Sequence, residues 1–162
     1  MGCQYFDPCE GGADTLTIAI PKYSFGRGCL REAGARAAGL GMSRVGLFTD
    51  PFLRDSRYVA TVLESLDAAD IDVDTFDEIT IEADDASVER GARFVAEGRF
   101  DGVVSVGGGS VMDTAKASML YGLHPTDEFL DYFAPPLGAG RTMPRSLLPH
   151  LACPTTSGTG SE

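Results

Sequence analysis

The stretch Val103–Lys116, VVSVGGGSVMDTAK, decides how this chain is read. Val103, Val104, Ser105 and Val106 form a short run apolar enough for a strand buried on both faces. Gly107, Gly108 and Gly109 follow at once, and Ser110 opens a segment of helical spacing that carries Asp113 and Lys116. A strand, a turn without side chains and a helix N-terminus make an anion site. The turn's N–H groups are unshielded, and the helix dipole adds partial positive charge. Phosphate or pyrophosphate is the natural guest. A tight turn that binds nothing is the competing interpretation, because one glycine-rich turn is a weak signal alone.

Working outward, the neighbouring segments alternate in kind. Arg44–Asp50, RVGLFTD, reads as a buried strand stopped by Thr49, Asp50 and Pro51. Val59, Val62, Leu63 and Leu66 recur at helical spacing, so residues 53–69 read as an amphipathic helix. Ile71–Phe76 is a strand. Asp84 or Asp85 caps a helix with Val88, Ala92, Val95 and Ala96 on its apolar side and Gly98 after it. Phe100–Val106 is the strand that delivers the glycines, and Ser110–Tyr121 the helix beyond. Upstream, Leu30, Ala33, Ala37 and Leu40 mark another helix, with Gly39 and Gly41 as its stop. Residues 15–25, with Leu16, Ile18 and Ile20 and then Tyr23 and Phe25, read as two short strands around a turn at Pro21. Residues 1–14 read as a loose arm. Downstream, residues 122–146 are rich in proline and glycine and carry one helical turn at Phe129–Phe133. Ser146–Cys153 reads as a further strand. The expected fold is α/β: a Rossmann-like parallel sheet with flanking helices and an N-terminal strand hairpin, residues 15–162 forming one dinucleotide-binding domain.

Composition narrows the partners. The net charge of −11 and the lack of a Lys/Arg patch argue against nucleic acid or an anionic membrane surface. No apolar run approaches the roughly 20 residues of a membrane span. Of four cysteines, Cys29 and Cys153 sit in apolar runs and read as buried thiols, while Cys3 and Cys9 lack zinc spacing. A reducing cytoplasm is the expected compartment. Two histidines, His124 and His150, cannot build a His-rich metal site and are given no catalytic role. The expected catalytic and metal residues within the chain are therefore none.

In an open parallel sheet, ligands bind at the carboxyl ends of the strands. Asp50, Gly107–Ser110 and Thr155–Thr156 all fall at such ends. An acid there can accept from ribose hydroxyls, a glycine turn can hold pyrophosphate, and the hydroxyls of TTSGTG can hold an amide or sugar. Together they outline a dinucleotide. Each has a plainer alternative: Asp50 as a turn starter, Thr155 and Thr156 as a polar loop, Asp113 and Lys116 as a surface ion pair. The acid precedes the glycines, and Met112 breaks GxGxxG, so the usual Rossmann fingerprint is not met; nor is a P-loop.

GGGSVMDTAK at 107–116 and PTTSGTGSE at 154–162 resemble the iron-containing alcohol dehydrogenase family. Phe129-Leu130-Asp131-Tyr132 and the stretch APPLGAG at 134–140 look closer to its hydroxyacid–oxoacid transhydrogenase branch. The resemblance covers residues 15–162. It implies NAD as cofactor, bound through Asp50 at the ribose, Gly107, Gly108, Gly109 and Ser110 at the pyrophosphate with Asp113 beside them, and Thr155 and Thr156 along the cofactor. It implies Fe2+ or another divalent metal in the full-length family, held by Asp and His residues downstream of the GTGSE motif on a helical domain. Neither those ligands nor that domain is expected within these 162 residues. The substrate implied is a small alcohol or hydroxyacid: 4-hydroxybutyrate oxidised, 2-oxoglutarate reduced. The chain alone is expected to hold the nucleotide without transferring hydride. A homo-oligomer, a non-catalytic nucleotide-binding module and a sugar-phosphate cyclase of the same fold stay open. One departure is visible: Ala83-Asp84 stands where relatives often carry Pro-Thr.

Overall fold

The computed structural model describes residues 22–82, 84–144 and 147–161. Their strands form one parallel sheet in the order β2-β1-β3-β4. The strands are β1 Arg44–Phe48, β2 Asp72–Phe76, β3 Gly102–Gly107 and β4 His150–Pro154. The helices are α1 Ala33–Gly39, α2 Arg57–Asp67, α3 Asp85–Gly98 and α4 Gly109–Leu123. The α/β fold expected from the alternation is the one that forms.

Alternation along the inner strands separates two cores. Val45, Leu47, Val104 and Val106 face α1 and α2, where Val59, Val62 and Leu66 close over them. Phe48 and Val103 face the other way, against Val95 of α3 and Val111, Ala115 and Met119 of α4. Phe48, Phe76 and Phe94 pack ring to ring at centroid distances of 5.2–5.6 Å. β3 is buried along its whole length, as its unbroken apolar run requires. β2 is an edge strand. Its Asp72 and Asp74 both reach toward Arg44, and such charges discourage edge-to-edge pairing.

Local chemistry sets the ends. The Ser56 hydroxyl caps α2 by accepting from the Val59 N–H at 3.3 Å. Asp84 caps α3, accepting from the Ser87 N–H at 2.7 Å. Hydrogen bonds from the Ser87 side chain and amide hold the Asp84 carboxyl below its usual pKa. The Asp101 carboxylate accepts from the Ser43 and Arg44 amides at 2.9 Å and ties the starts of β1 and β3 together. Burial alone would raise the pKa of Asp101, but these bonds and the Ser43 hydroxyl hold it low.

Several expectations need correcting. The arm at 1–14 and the first strand of the N-terminal hairpin lie outside the described residues. Residues 22–25, the expected second strand, pair with nothing described, and Tyr23 and Phe25 stand 84% and 101% exposed. The first helix begins as a 3-10 turn, Cys29–Glu32, before α1. Cys153 is buried as expected, but Cys29 is only half-buried because it opens that turn at the surface. Strand ends are shorter than the apolar runs: β1 stops at Phe48 and β4 starts at His150. The helical turn at 129–133 is a 3-10 helix, Phe129–Tyr132, whose Phe129 ring stacks on Tyr121 at 4.7 Å.

Candidate functional site

Strand order reverses between β1 and β3, since β1 leads outward to β2 and β3 leads to β4. Such a switch opens a crevice beyond the strand ends. A cleft of ≈ 260 Å³ lies there. Asp50 borders it beyond β1, Gly108, Gly109 and Ser110 beyond β3, and Thr155 and Thr156 beyond β4.

The glycines are required by closeness, not by unusual backbone angles, for none of the three has positive φ. A Cβ on Gly107 would meet Val111 Cγ2 at 2.4 Å. One on Gly108 would meet Thr156 Oγ1 at 3.1 Å, and one on Gly109 the Ser161 Oγ at 3.2 Å. Gly107 lies beneath the cleft, its carbonyl accepting from the Thr155 N–H at 2.9 Å. Gly108 is the N-cap of α4 and supplies no capping side chain. The N–H groups of Gly109 and Ser110 find no acceptor among the described residues. Bare donors at a helix N-terminus suit an anion.

Asp50 is preset rather than free. Its Oδ1 accepts from the Phe52 and Leu53 amides, each at 2.9 Å, which fixes the carboxylate at the strand tip. Asp50 is thus the turn starter, and its Oδ2 has no partner among the described residues. The Ser110 hydroxyl accepts from the Glu82 N–H at 3.2 Å and keeps its own proton to donate.

Asp113 does not line the cleft. It pairs with Lys116 at 3.2 Å on the exposed side of α4 and accepts from the Ser161 hydroxyl at 2.9 Å. The surface ion pair is thus present, but it holds the segment after β4. Sequence reading missed the fourth wall, Ile79, Thr80 and Ile81, which follows β2. The strand-end rule that selected Asp50 would have found it. Thr80 is braced by Ser87, hydroxyl to hydroxyl at 3.0 Å, so the Asp84 cap supports this wall.

His150 opens β4, with Nε2 2.8 Å from Ser105 Oγ. Burial and the positive charge of Lys116 push its pKa down to about 4, so the ring is neutral near pH 7. Burial, with Cys29 nearby, pushes the Cys153 thiol up to about 11, so it stays protonated. A larger hollow, ≈ 370 Å³, opens between Gly28–Arg31 and the start of α2. It lacks the convergence of strand tips and bare helix donors that marks the smaller cleft.

The family model for iron-containing alcohol dehydrogenases matches residues 21–162. The chain belongs to the iron-containing alcohol dehydrogenase family. The hydroxyacid-oxoacid transhydrogenase, mitochondrial, of Mus musculus is 40% identical over 145 residues, 90% of this chain and 31% of that protein. Thus the chain spans about a third of the length of such relatives. The crystal structure of a 1,3-propanediol oxidoreductase superposes with a TM-score of 0.75 at 31% identity, covering 85% of this chain and 34% of that one. A sulfoacetaldehyde reductase from Bifidobacterium kashiwanohense, solved in complex with NAD+, gives a TM-score of 0.71 at 31% identity, covering 90% of this chain and 38% of that one.

The cleft fits the dinucleotide that the family implies. It offers bare N–H donors, a held carboxylate, and glycines where a Cβ would intrude. The iron of the family's description does not fit the residues present, since no group of three or more His, Cys, Asp or Glu among the described residues is placed to hold a metal ion.

Proposed function

We propose that this chain is the NAD-binding portion of an alcohol or hydroxyacid dehydrogenase of the hydroxyacid–oxoacid transhydrogenase type. One observation carries the reading: the glycine turn, with its unpaired Gly109 and Ser110 amides, faces Asp50, Thr155 and Thr156 across one cleft. The Asp50 carboxylate accepts from the ribose hydroxyls and repels a phosphate placed there, which selects NAD over NADP. Gly108, Gly109 and Ser110 hold the pyrophosphate by N–H donation and helix dipole, with no Lys or Arg in the lining. Thr155 and Thr156 lie along the other side. Bound NAD supplies a hydride acceptor. The likeness to the mouse hydroxyacid-oxoacid transhydrogenase supports a hydroxyacid as donor and an oxoacid as acceptor, and we propose 4-hydroxybutyrate and 2-oxoglutarate for the two.

Cys29 and Cys153 are free thiols, which suits a reducing compartment, and we assign the cytoplasm; the mouse relative is named mitochondrial. No helix among the described residues is long and apolar enough to cross a membrane.

The test compares NADH and NADPH binding by cofactor fluorescence. Wild type binds NADH more tightly, and Asp50→Gly narrows the gap by losing NADH affinity and gaining NADPH affinity. Unchanged selectivity removes Asp50 from the ribose site.

A further inference from the structure

Thr155 and Thr156 line the cleft, and the segment they begin runs on, mostly exposed, to Ser161. It is fixed at its ends. At the first end the Thr155 N–H donates to the Gly107 carbonyl at 2.9 Å. At the second, three bonds converge on Ser161. Its hydroxyl donates to Asp113 Oδ2 at 2.9 Å, its carbonyl accepts from Lys116 Nζ at 2.8 Å, and its amide donates to Thr159 Oγ1 at 3.1 Å. Between the anchors, Gly158 and Gly160 adopt φ of +77° and +76° with open space around them. Such glycines add no packing of their own. Thr156 and Thr159 lie against Gly108 and Gly109, and the hydrogen bonds at the two ends keep them there.

We infer that Asp113 and Lys116 are positioning residues for nucleotide affinity: together they clamp Ser161 and so hold the Thr155–Ser161 segment against the glycine turn. The inference rests on the cofactor reading of the cleft. Neither residue lines the cleft, and each serves a different atom of Ser161. Their mutual ion pair at 3.2 Å aligns both on the same target. Both sit on α4, which starts at the glycine turn, so one rigid element sets the turn and the segment facing it. Charge-assisted hydrogen bonds are the stronger kind, and the clamp uses two. The pair is partly exposed, so its effect is modest and sensitive to salt.

The test uses the whole chain with Lys116→Met, Lys116→Arg, Asp113→Asn, Ser161→Ala and the Asp113→Asn/Ser161→Ala double variant. Hydrogen exchange at the Thr155 and Ser161 amides, the two in the segment that donate to an acceptor among the described residues, is measured first, without nucleotide. It should quicken in Lys116→Met and Asp113→Asn and recover in Lys116→Arg, while β3 amides keep their protection. NADH affinity should fall about threefold to tenfold in the first two variants, the range expected for one lost hydrogen bond. Asp113→Asn should cost less once Ser161 is alanine, because the hydroxyl bond is already gone and only the pairing with Lys116 is left to lose. Fully additive losses would mean Asp113 acts on the nucleotide directly and would overturn the inference. So would unchanged exchange at Thr155 and Ser161, or exchange rising equally in β3. If exchange responds as expected but wild type binds no NADH, the cofactor reading fails and the clamp stands.

Discussion

At the scale of single residues, two glycines in α1 make a sharp contrast. A Cβ on Gly34 would lie 1.8 Å from the Ser65 carbonyl oxygen, where α1 crosses α2. One on Gly39 would meet nothing within 4 Å. Gly34→Ala should therefore destabilise by about 1–3 kcal/mol, the usual cost of forced overpacking. Gly39→Ala should be neutral or stabilise by up to about 1 kcal/mol through helix propensity. Urea midpoints of the two variants check both, and equal effects would refute the packing argument. His150 supplies a pH test. Its folded pKa, about 4, lies below the ordinary 6.5. Between those values the unfolded chain binds more protons, so stability rises with pH through the window. The contribution is complete above the ordinary value and is lost as pH falls toward 4. Replacing His150 by glutamine should flatten the melting temperature between about pH 6.5 and pH 4.5 relative to wild type. Asp84 and Asp101, with lowered pKa values, lose their contributions on acidification in both proteins and cancel in the comparison.

At the scale of elements, the sequence was legible wherever a contact is local. Helical spacing in Val59, Val62 and Leu66 located α2, and the apolar run before Gly107 located β3, because burial repeats with the element's own period. Caps were legible for the same reason: Asp84 and Ser87 are three residues apart. What spacing could not show was Asp113 meeting Ser161, a contact between residues 48 apart in sequence. Only the parallel return through β4 brings them together. Of the hairpin expected at residues 15–25 only the second half is described, and there Tyr23 and Phe25 stand exposed with no strand partner among the described residues. The α3 cap yields an element-scale prediction. Asp84 holds Ser87, and Ser87 braces Thr80 at the cleft. Asp84→Ala should lower the urea midpoint and also quicken exchange at Thr80 and Ile81. A lower midpoint with the wall's exchange unchanged would show that the cap serves α3 alone.

At the scale of the whole molecule, charge opposes itself. The chain carries 24 acidic and 13 basic residues. The ion pairs among the described residues all involve partly exposed side chains and each contributes little. Net repulsion among the surplus acids should outweigh them. Raising NaCl from about 0.1 M to about 1 M shortens the screening length from roughly 10 Å to roughly 3 Å. The surplus repulsion acts over the longer distances and is removed first, so the melting temperature should rise. The same screening weakens Lys116 against Asp113 and against the Ser161 carbonyl. Salt should therefore act on two parts of one molecule with opposite sign: slower exchange in β3, and faster exchange at the Ser161 amide. In Lys116→Met the β3 response should persist and the Ser161 response disappear. A melting temperature that falls with salt would show that attractive pairs dominate the surface. A Ser161 response that survives in Lys116→Met would show that the segment is held by something other than its lysine.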